Sequence, residues 1–389
     1  MKSPNRSNPG KCPACGFAST HLVDWEFSGL GDSIFNYTAH FNTCSTCGLV
    51  YIHNIDDKLL ETFYTEECGY FAKAHFEVTA PANREKFAFY GKVLAEQGIR
   101  NVDMVDVGCG RGGFVTWLVQ SGWNGVCCGV DVDARSMPID SEMDKGPLFL
   151  DGDALNLPLD NRSSDLLTYF HVLEHIHDTH GLLREAARVL KPDGYILIEV
   201  PDAENYSARP IGSAFWISIR EHIHHFTANA LVFALNSQGF SVQTVLRQTL
   251  PTPEFSYPSL MILARKTHAS RISQSPAHMD VSQFVLASKT ALRTQAEQVN
   301  RLADGKQLSI WGCSAELFSL LPLLDIQKMR ICDSSQLKQT THVRGLPIED
   351  PTSLPMEGSL VVAPYLYGAE IKRAALRLGW PEASIYRLQ

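Results

Sequence analysis

The chain has 389 residues, enough for roughly two to four domains, and an ordinary globular composition of 44% hydrophobic and 20% charged residues. Thirty-four Lys and Arg against 42 Asp and Glu leave a formal charge of −8, the wrong sign for a general grip on nucleic-acid phosphates. No apolar run reaches the ~20 residues that span a bilayer, and the N-terminal MKSPNRSNPGKCP lacks the apolar core of a secretory signal. These features predict a cytoplasmic, multidomain chain with no membrane partner, weigh against a nucleic-acid partner, and carry no sign of its oligomeric state.

Four of the ten cysteines form two close pairs, Cys12-Pro-Ala-Cys15 and Cys44-Ser-Thr-Cys47, each followed by a glycine, Gly16 and Gly48. A Cys-x-x-Cys turn lets two thiolates converge on one ion, and two such turns complete a tetrahedral sulfur shell suited to Zn2+. With strand-like pieces such as Phe35 to Phe41 between the pairs, residues 1–56 read as a zinc ribbon. All four positions are sulfur, which leaves no coordination site for a catalytic water, so the metal is expected to be structural.

Residues 57–100 read as a helical cap, with Phe87, Tyr90, Val93 and Leu94 at helical spacing. Over 101–265 strands alternate with helices: VDMVDVG, FVTWLVQSGW, CCGVDVD, DLLTYFH, LLREAARVL and YILIEVP, followed by the strand candidates FSVQTVLRQ and SLMILARK. Such alternation argues for a parallel sheet covered by helices. Residues 266–306 read as a polar linker to residue 280 and then a helix whose apolar side carries Val281, Phe284, Val285, Leu292, Ala296, Val299 and Leu302. A second α/β pattern fills 307–389 (LSIWG, AELFSLLPLL, RICD, SLVVAP, EIKRAALRLG). Its turn holds only Gly312, too few glycines for a second dinucleotide. Cys313 reads there as a buried thiol.

The clearest chemistry is VDVGCGRGG, residues 105–113. Gly108, Gly110 and Gly112 allow backbone to approach a ligand at the start of a helix. Dinucleotide enzymes use a similar turn, so three acids matter. Asp106 suits a cationic amino-acid moiety. Asp131 ends the next strand about 20 residues on, where a carboxylate can accept hydrogen bonds from two ribose hydroxyls; Asp133 is its rival. Asp153, followed by Ala154 in LDGDALNLP, stands where an adenine amine could be read. Half of the fourteen histidines lie between positions 171 and 225, and imidazole accepts a proton at neutral pH without a large shift. His177 and His180 read as surface residues, and His171 as part of the cofactor pocket's lining.

The sequence of glycine turn, ribose acid, Gly-Asp-Ala, HVLEHI and RVLKPDG over residues 101–201 resembles class I S-adenosylmethionine-dependent methyltransferases. That resemblance implies a seven-stranded Rossmann-like α/β core with S-adenosyl-L-methionine held by Asp106, Gly108, Asp131 and Asp153. Gly110, Gly112, Ala154 and His171 belong to the same expected pocket. The whole layout, an N-terminal zinc ribbon, this core and a smaller C-terminal Rossmann-like α/β domain, resembles the deoxysugar C-methyltransferases. These methylate a carbon beside the keto group of a nucleotide-linked sugar. The resemblance makes His222 the base that removes the α-proton, Glu221 its orienting partner, and His175 a substrate-holding residue. Ile219 stands where the family commonly has Tyr, and PTPEFSYPSL replaces its His-Gly-Gly segment. Tyr64 or Tyr70 could supply an aromatic hydroxyl to the pocket. Two other acceptors fit the same core: a hydroxyl of a sugar or natural product, deprotonated by His222 or His225, and ribosomal RNA.

Overall fold

The computed structural model describes residues 10–67, 80–133, 146–208, 212, 214–267, 280–303, 306–326 and 329–388. Tyr70 and most of the stretch read as a linker lie outside them. The chain divides into two compact units: Met1–Thr20, Asn42–Ala208 and Ile223–Val281 form the first, and His21–Phe41, Arg209–His222 and Ser282–Gln389 the second. The stretch read as one ribbon thus contributes to both.

In the first unit a seven-stranded sheet is built from β1 (Met104–Val107), β2 (Cys127–Asp131), β3 (Leu148–Asp151), β4 (Ser164–Phe170), β5 (Leu190–Pro201), β6 (Phe240–Pro251) and β7 (Ser256–Lys266). Their order is β3-β2-β1-β4-β5-β7-β6. β1 to β5 run parallel, and β7 pairs antiparallel with both β5 and β6, so the sheet is mixed rather than wholly parallel. The last two strands form a hairpin because Thr252 to Phe255 close a tight turn, the Thr252 hydroxyl accepting the Phe255 N–H at 2.9 Å. All four residues of β1 are buried, as a strand covered on both faces requires. Chain order reverses between β1 and β4, and the crevice beyond the strand ends at such a point is where ligands bind in open α/β sheets.

Four helices of this unit matter here: α1 (Pro81–Glu96), α2 (Gly113–Gln120), α3 (Thr179–Val189) and α4 (Ala228–Ser237). Thr227 caps α4, its hydroxyl accepting the Ala230 N–H at 3.0 Å and donating to the Cys47 carbonyl at 2.7 Å. Residues 57–67 form a short helix, Asp57–Thr62, and a wide turn, Phe63–Glu67.

The second unit contains a helix, α5 (Val281–Leu302), and a six-stranded sheet, β8 (Leu308–Trp311), β9 (Met329–Cys332), β10 (His342–Val343), β11 (Leu346–Glu349), β12 (Ser359–Val362) and β13 (Ile385–Arg387). Its order is β10-β11-β9-β8-β12-β13, parallel except for the β10/β11 hairpin. That hairpin turns on Arg344 and Gly345, both at positive φ, the pairing that matches strand twist in a two-residue loop. Burial pushes the Cys313 thiol up to about 12. Where the sequence suggests a strand from Phe35 to Phe41, the strand begins at Thr38, three residues later. The side chain of Phe35 instead packs under the Arg220 guanidinium, 4.9 Å from the ring centre. Among the described residues no helix is long and apolar enough to cross a membrane.

Candidate active site

β1 runs into a turn whose three glycines all have positive φ: Gly108 at 71°, Gly110 at 54° and Gly112 at 67°. The Gly108 and Cys109 N–H groups both donate to the Val130 carbonyl, at 2.8 and 3.1 Å, which ties the turn to β2. A Cβ on Gly108 would lie 2.4 Å from Val172 Cγ2, and one on Gly112 2.2 Å from Phe149 Cε1, while one on Gly110 would meet nothing within 4 Å. Two of the glycines therefore serve close packing, and Gly110 faces open space.

The acids lie around this turn. Asp131, at the end of β2, accepts the Gly110 N–H at 2.7 Å with one oxygen and the Asp133 N–H at 2.9 Å with the other. Burial raises its pKa despite those bonds. Asp106, 4% exposed, accepts the Thr168 hydroxyl at 2.7 Å. Burial pushes it up to about 7; the Thr168 hydroxyl and the Lys86 charge pull down, and Asp131 pushes up. Asp153 is exposed and caps its own turn, accepting the Leu155 N–H at 2.9 Å; Ala154 is half-buried against the core.

Beside them lies a buried polar cluster not foreseen in the sequence. Glu199 on β5 is fully buried, with Tyr90 of α1 donating to Oε2 at 2.6 Å and Tyr257 of β7 to Oε1 at 2.7 Å. Burial holds both phenols well above their ordinary range, so they keep their protons. The Tyr90 ring stacks on Phe170 at 4.0 Å, and Phe114 meets both edge-on. His171, with φ of 58°, sets Nδ1 2.9 Å from Glu174 Oε1 and Nε2 3.6 Å from Glu199 Oε1. The sequence signal was a carboxylate inside the apolar run of β5, since a charge there needs buried partners. Those partners stand 109 and 58 residues away along the chain.

The remaining histidines have different surroundings. His175 is largely buried, its Nδ1 2.7 Å from the Tyr64 hydroxyl and its Nε2 3.9 Å from Glu174 Oε1. His225 is fully buried, its Nδ1 3.2 Å from the Tyr206 hydroxyl, and burial pulls it down to about 4. His224 is buried too, against Thr179 at 3.3 Å, and held well below its ordinary range by burial first. His177 and His180 are half-buried rather than on the surface. The backbone of His177 donates to Asp57, and the His180 ring bonds the Ala14 carbonyl at 2.9 Å. Glu221 and His222 belong to the second unit, where both are half-buried and the His222 N–H donates to the Ile219 carbonyl at 3.0 Å.

The four paired cysteines converge. Cys12 and Cys47 sulfurs lie 3.5 Å apart, as do those of Cys15 and Cys44, and all four ligand atoms fall within 4.8 Å of one another. Each pair sits in the same turn: Gly16 N–H to Cys12 carbonyl at 2.9 Å, Gly48 N–H to Cys44 carbonyl at 2.8 Å. Both glycines have positive φ, 75° and 77°, which is why the turn wants glycine.

The reversal between β1 and β4, the glycine turn and the acid beneath it are the arrangement with which open α/β sheets bind nucleotides. Residues 78–245 match the family model of the methyltransferase domain. A 122-residue stretch is 25% identical to the phthiotriol/phenolphthiotriol dimycocerosates methyltransferase of Mycobacterium leprae (strain TN), covering 31% of this chain and 45% of that protein. Another, of 133 residues, is 31% identical to the tRNA (carboxymethyluridine(34)-5-O)-methyltransferase of Arabidopsis thaliana, covering 33% and 30%. A 118-residue stretch is 27% identical to the fatty-acid O-methyltransferase of Mycolicibacterium smegmatis, covering 30% and 43%. The chain thus spans less than half the length of these curated relatives. The central α/β core, residues 78–245, thus matches a methyltransferase domain.

Proposed function

We propose that the chain transfers the methyl group of S-adenosyl-L-methionine to a small molecule, by carbon methylation of a nucleotide-linked keto-sugar. The observation that carries the cofactor is the glycine turn. Gly110 opens onto free space, and directly beneath it Asp131 holds a half-buried carboxylate with which a ribose diol could bond. Asp106, Gly108, Gly112, Asp153 and Ala154 complete the pocket, and His171 lines it. When bound, the cofactor supplies an electrophilic methyl on a sulfonium. The resemblance to the deoxysugar enzymes supports the acceptor and the roles: His222 as base, Glu221 orienting it, His175 holding the substrate. Oxygen methylation is the second reading, favoured by two relatives that are O-methyltransferases by name; His222 or His225 would then take a hydroxyl proton. Ribosomal RNA is disfavoured by the −8 charge. The four thiols fit a structural Zn2+: among the described residues no carboxylate or imidazole joins the cluster, and a sulfur-only set is suited to that ion.

Solvent deuterium should appear beside the keto group of a nucleotide-linked 4-keto-6-deoxyhexose in the absence of the methyl donor. Replacing His222 with Ala should abolish that exchange and turnover while leaving cofactor affinity intact. Hydroxyl methylation without exchange would select the second reading.

Asp106 gives a pH dependence. Its native pKa, about 7, lies above the ordinary 3.8 because the charged form is buried. The native state therefore binds the extra proton between those values, and unliganded stability falls as pH rises from about 4 to about 7. A cofactor ammonium pairs only with the ionised acid, so affinity should be higher at pH 8 than at pH 6 by calorimetry. Equal affinities would remove Asp106 from that pairing.

A further inference from the structure

His171 follows β4 and immediately precedes Val172, the side chain that a Cβ on Gly108 would strike. It stands one residue from the turn assigned to the cofactor, with its side chain 30% exposed. Its backbone is left-handed, a conformation uncommon outside glycine and concentrated at functional sites, and its N–H is pinned to the Glu199 carbonyl at 3.0 Å. Both ring nitrogens face buried carboxylates. Nδ1 is bonded to Glu174, 1% exposed, at 2.9 Å. Nε2 lies 3.6 Å from Glu199 Oε1, beyond the usual N–H···O range, and that oxygen already accepts the Tyr257 hydroxyl. The ring is thus anchored through one nitrogen, and the other makes no hydrogen bond of ordinary length to Glu199.

We propose that His171 is kept as an imidazolium and donates Nε2–H to the carbonyl oxygen of the methyl acceptor as that oxygen gains charge. The role rests on the carbon-methylation reading. In the enolisation that reading requires, the α-carbon–hydrogen bond breaks and its proton passes to the base. The electron pair forms the new carbon–carbon double bond, and the carbonyl pair moves onto oxygen. His171 forms a hydrogen bond to that oxygen and no covalent bond, and nothing is oxidised or reduced. A donor aimed at developing charge in a water-poor site is among the largest catalytic effects available to a protein. Glu174 and Glu199 are positioning residues. The groups facing the ring are Glu174 from its own segment, Glu199 from β5, Tyr257 from β7, and Lys86 from α1. Burial pulls the imidazole down, but Glu199 first and Glu174 next outweigh it, with Lys86 opposing, so it titrates above the ordinary 6.5.

The test has two arms. NMR titration of His171 should place its midpoint above 6.5 in the wild type and lower in Glu199→Gln, with Glu174→Gln as the second variant if the first fails to fold. A His171 already neutral at pH 6.5 overturns the proposal. In the second arm, deuterium exchange into a nucleotide-linked 4-keto-6-deoxyhexose is measured with His171→Asn, chosen because Asn tolerates the left-handed backbone. Exchange should slow by roughly 100-fold or more, well beyond any accompanying change in S-adenosylhomocysteine affinity. Wild-type exchange in the variant, or loss of S-adenosylhomocysteine binding alone, overturns the role. Exchange that rises with pH through the His171 midpoint makes it a base and overturns the role equally. Absence of exchange in the wild type sinks the carbon-methylation reading and this role with it, and the titration still decides whether the imidazolium exists.

Discussion

Asp131→Ala is expected to weaken S-adenosylmethionine binding by about 100-fold or more. A carboxylate accepting from two ribose hydroxyls makes two charge-assisted hydrogen bonds, each worth roughly 1.5–3 kcal/mol, and about 2.7 kcal/mol already corresponds to 100-fold. The same side chain holds the Gly110 and Asp133 N–H groups, so its loss also loosens the turn. Stability of the unliganded protein should respond differently. Burial raises the Asp131 pKa, which means the ionised acid is a cost to the folded chain before ligand arrives. Asp131→Asn removes that cost but keeps one acceptor for the two backbone N–H groups, so it should change stability little and still fail to bind. Calorimetric titration with the cofactor and thermal unfolding without it separate the two effects, and unchanged affinity in the Ala variant would refute the ribose assignment. Asp133→Ala is the companion, since its backbone N–H, which the substitution retains, is what meets Asp131; a larger loss there would hand the role to the rival acid.

Cys44→Ser should reduce bound zinc from about one per chain to a small fraction and lower the melting temperature markedly. Structural zinc contributes on the order of 10–16 kcal/mol of apparent binding energy in small peptide sites. The damage should spread beyond the two cysteine turns because both are bonded into the helical layer. Thr227 of the α4 cap holds the Cys47 carbonyl and His180 of α3 holds the Ala14 carbonyl, and Cys12, Cys44 and Cys47 pack into the same apolar cluster as Leu182 and Leu231. Metal content by atomic absorption, read beside circular dichroism melts of wild type and variant, checks this. A variant that keeps its zinc, or a wild type purified with none, would end the structural-metal proposal.

Sequence order makes six of the seven strands, the glycine turn and the paired cysteines legible because each is local; the short β3, Leu148–Asp151, is the strand it leaves out. A strand of β-formers running into three glycines is complete within nine residues, and each thiol pair within four. The mixed direction of the sheet was not readable from β6 and β7, whose alternation looks the same in either sense. Glu199, Tyr90 and Tyr257 were missed for a different reason: each looks like an isolated polar residue in an apolar run until the fold joins three distant segments. The histidines show the opposite hazard. Their crowding between 171 and 225 suggests proton acceptors throughout, but His224 and His225 alternate into a buried strand pair with Tyr51 and Val50, and His180 serves the Ala14 carbonyl. Density in sequence says little about which ring is solvated, since that depends on what each segment packs against.

The polypeptide passes from one unit to the other five times between Met1 and Gln389. Neither unit can therefore be completed by any single uninterrupted stretch during synthesis. The sheet of residues 104–266 emerges from the ribosome well before Ser282 does, while the segments 21–41 and 209–222 must wait for partners encoded at the far end. Maturation should show a long-lived intermediate with a formed nucleoside-binding core and two protease-sensitive excursions. Genetic removal of everything after residue 281 should yield a protein that aggregates through those orphaned stretches rather than a minimal enzyme.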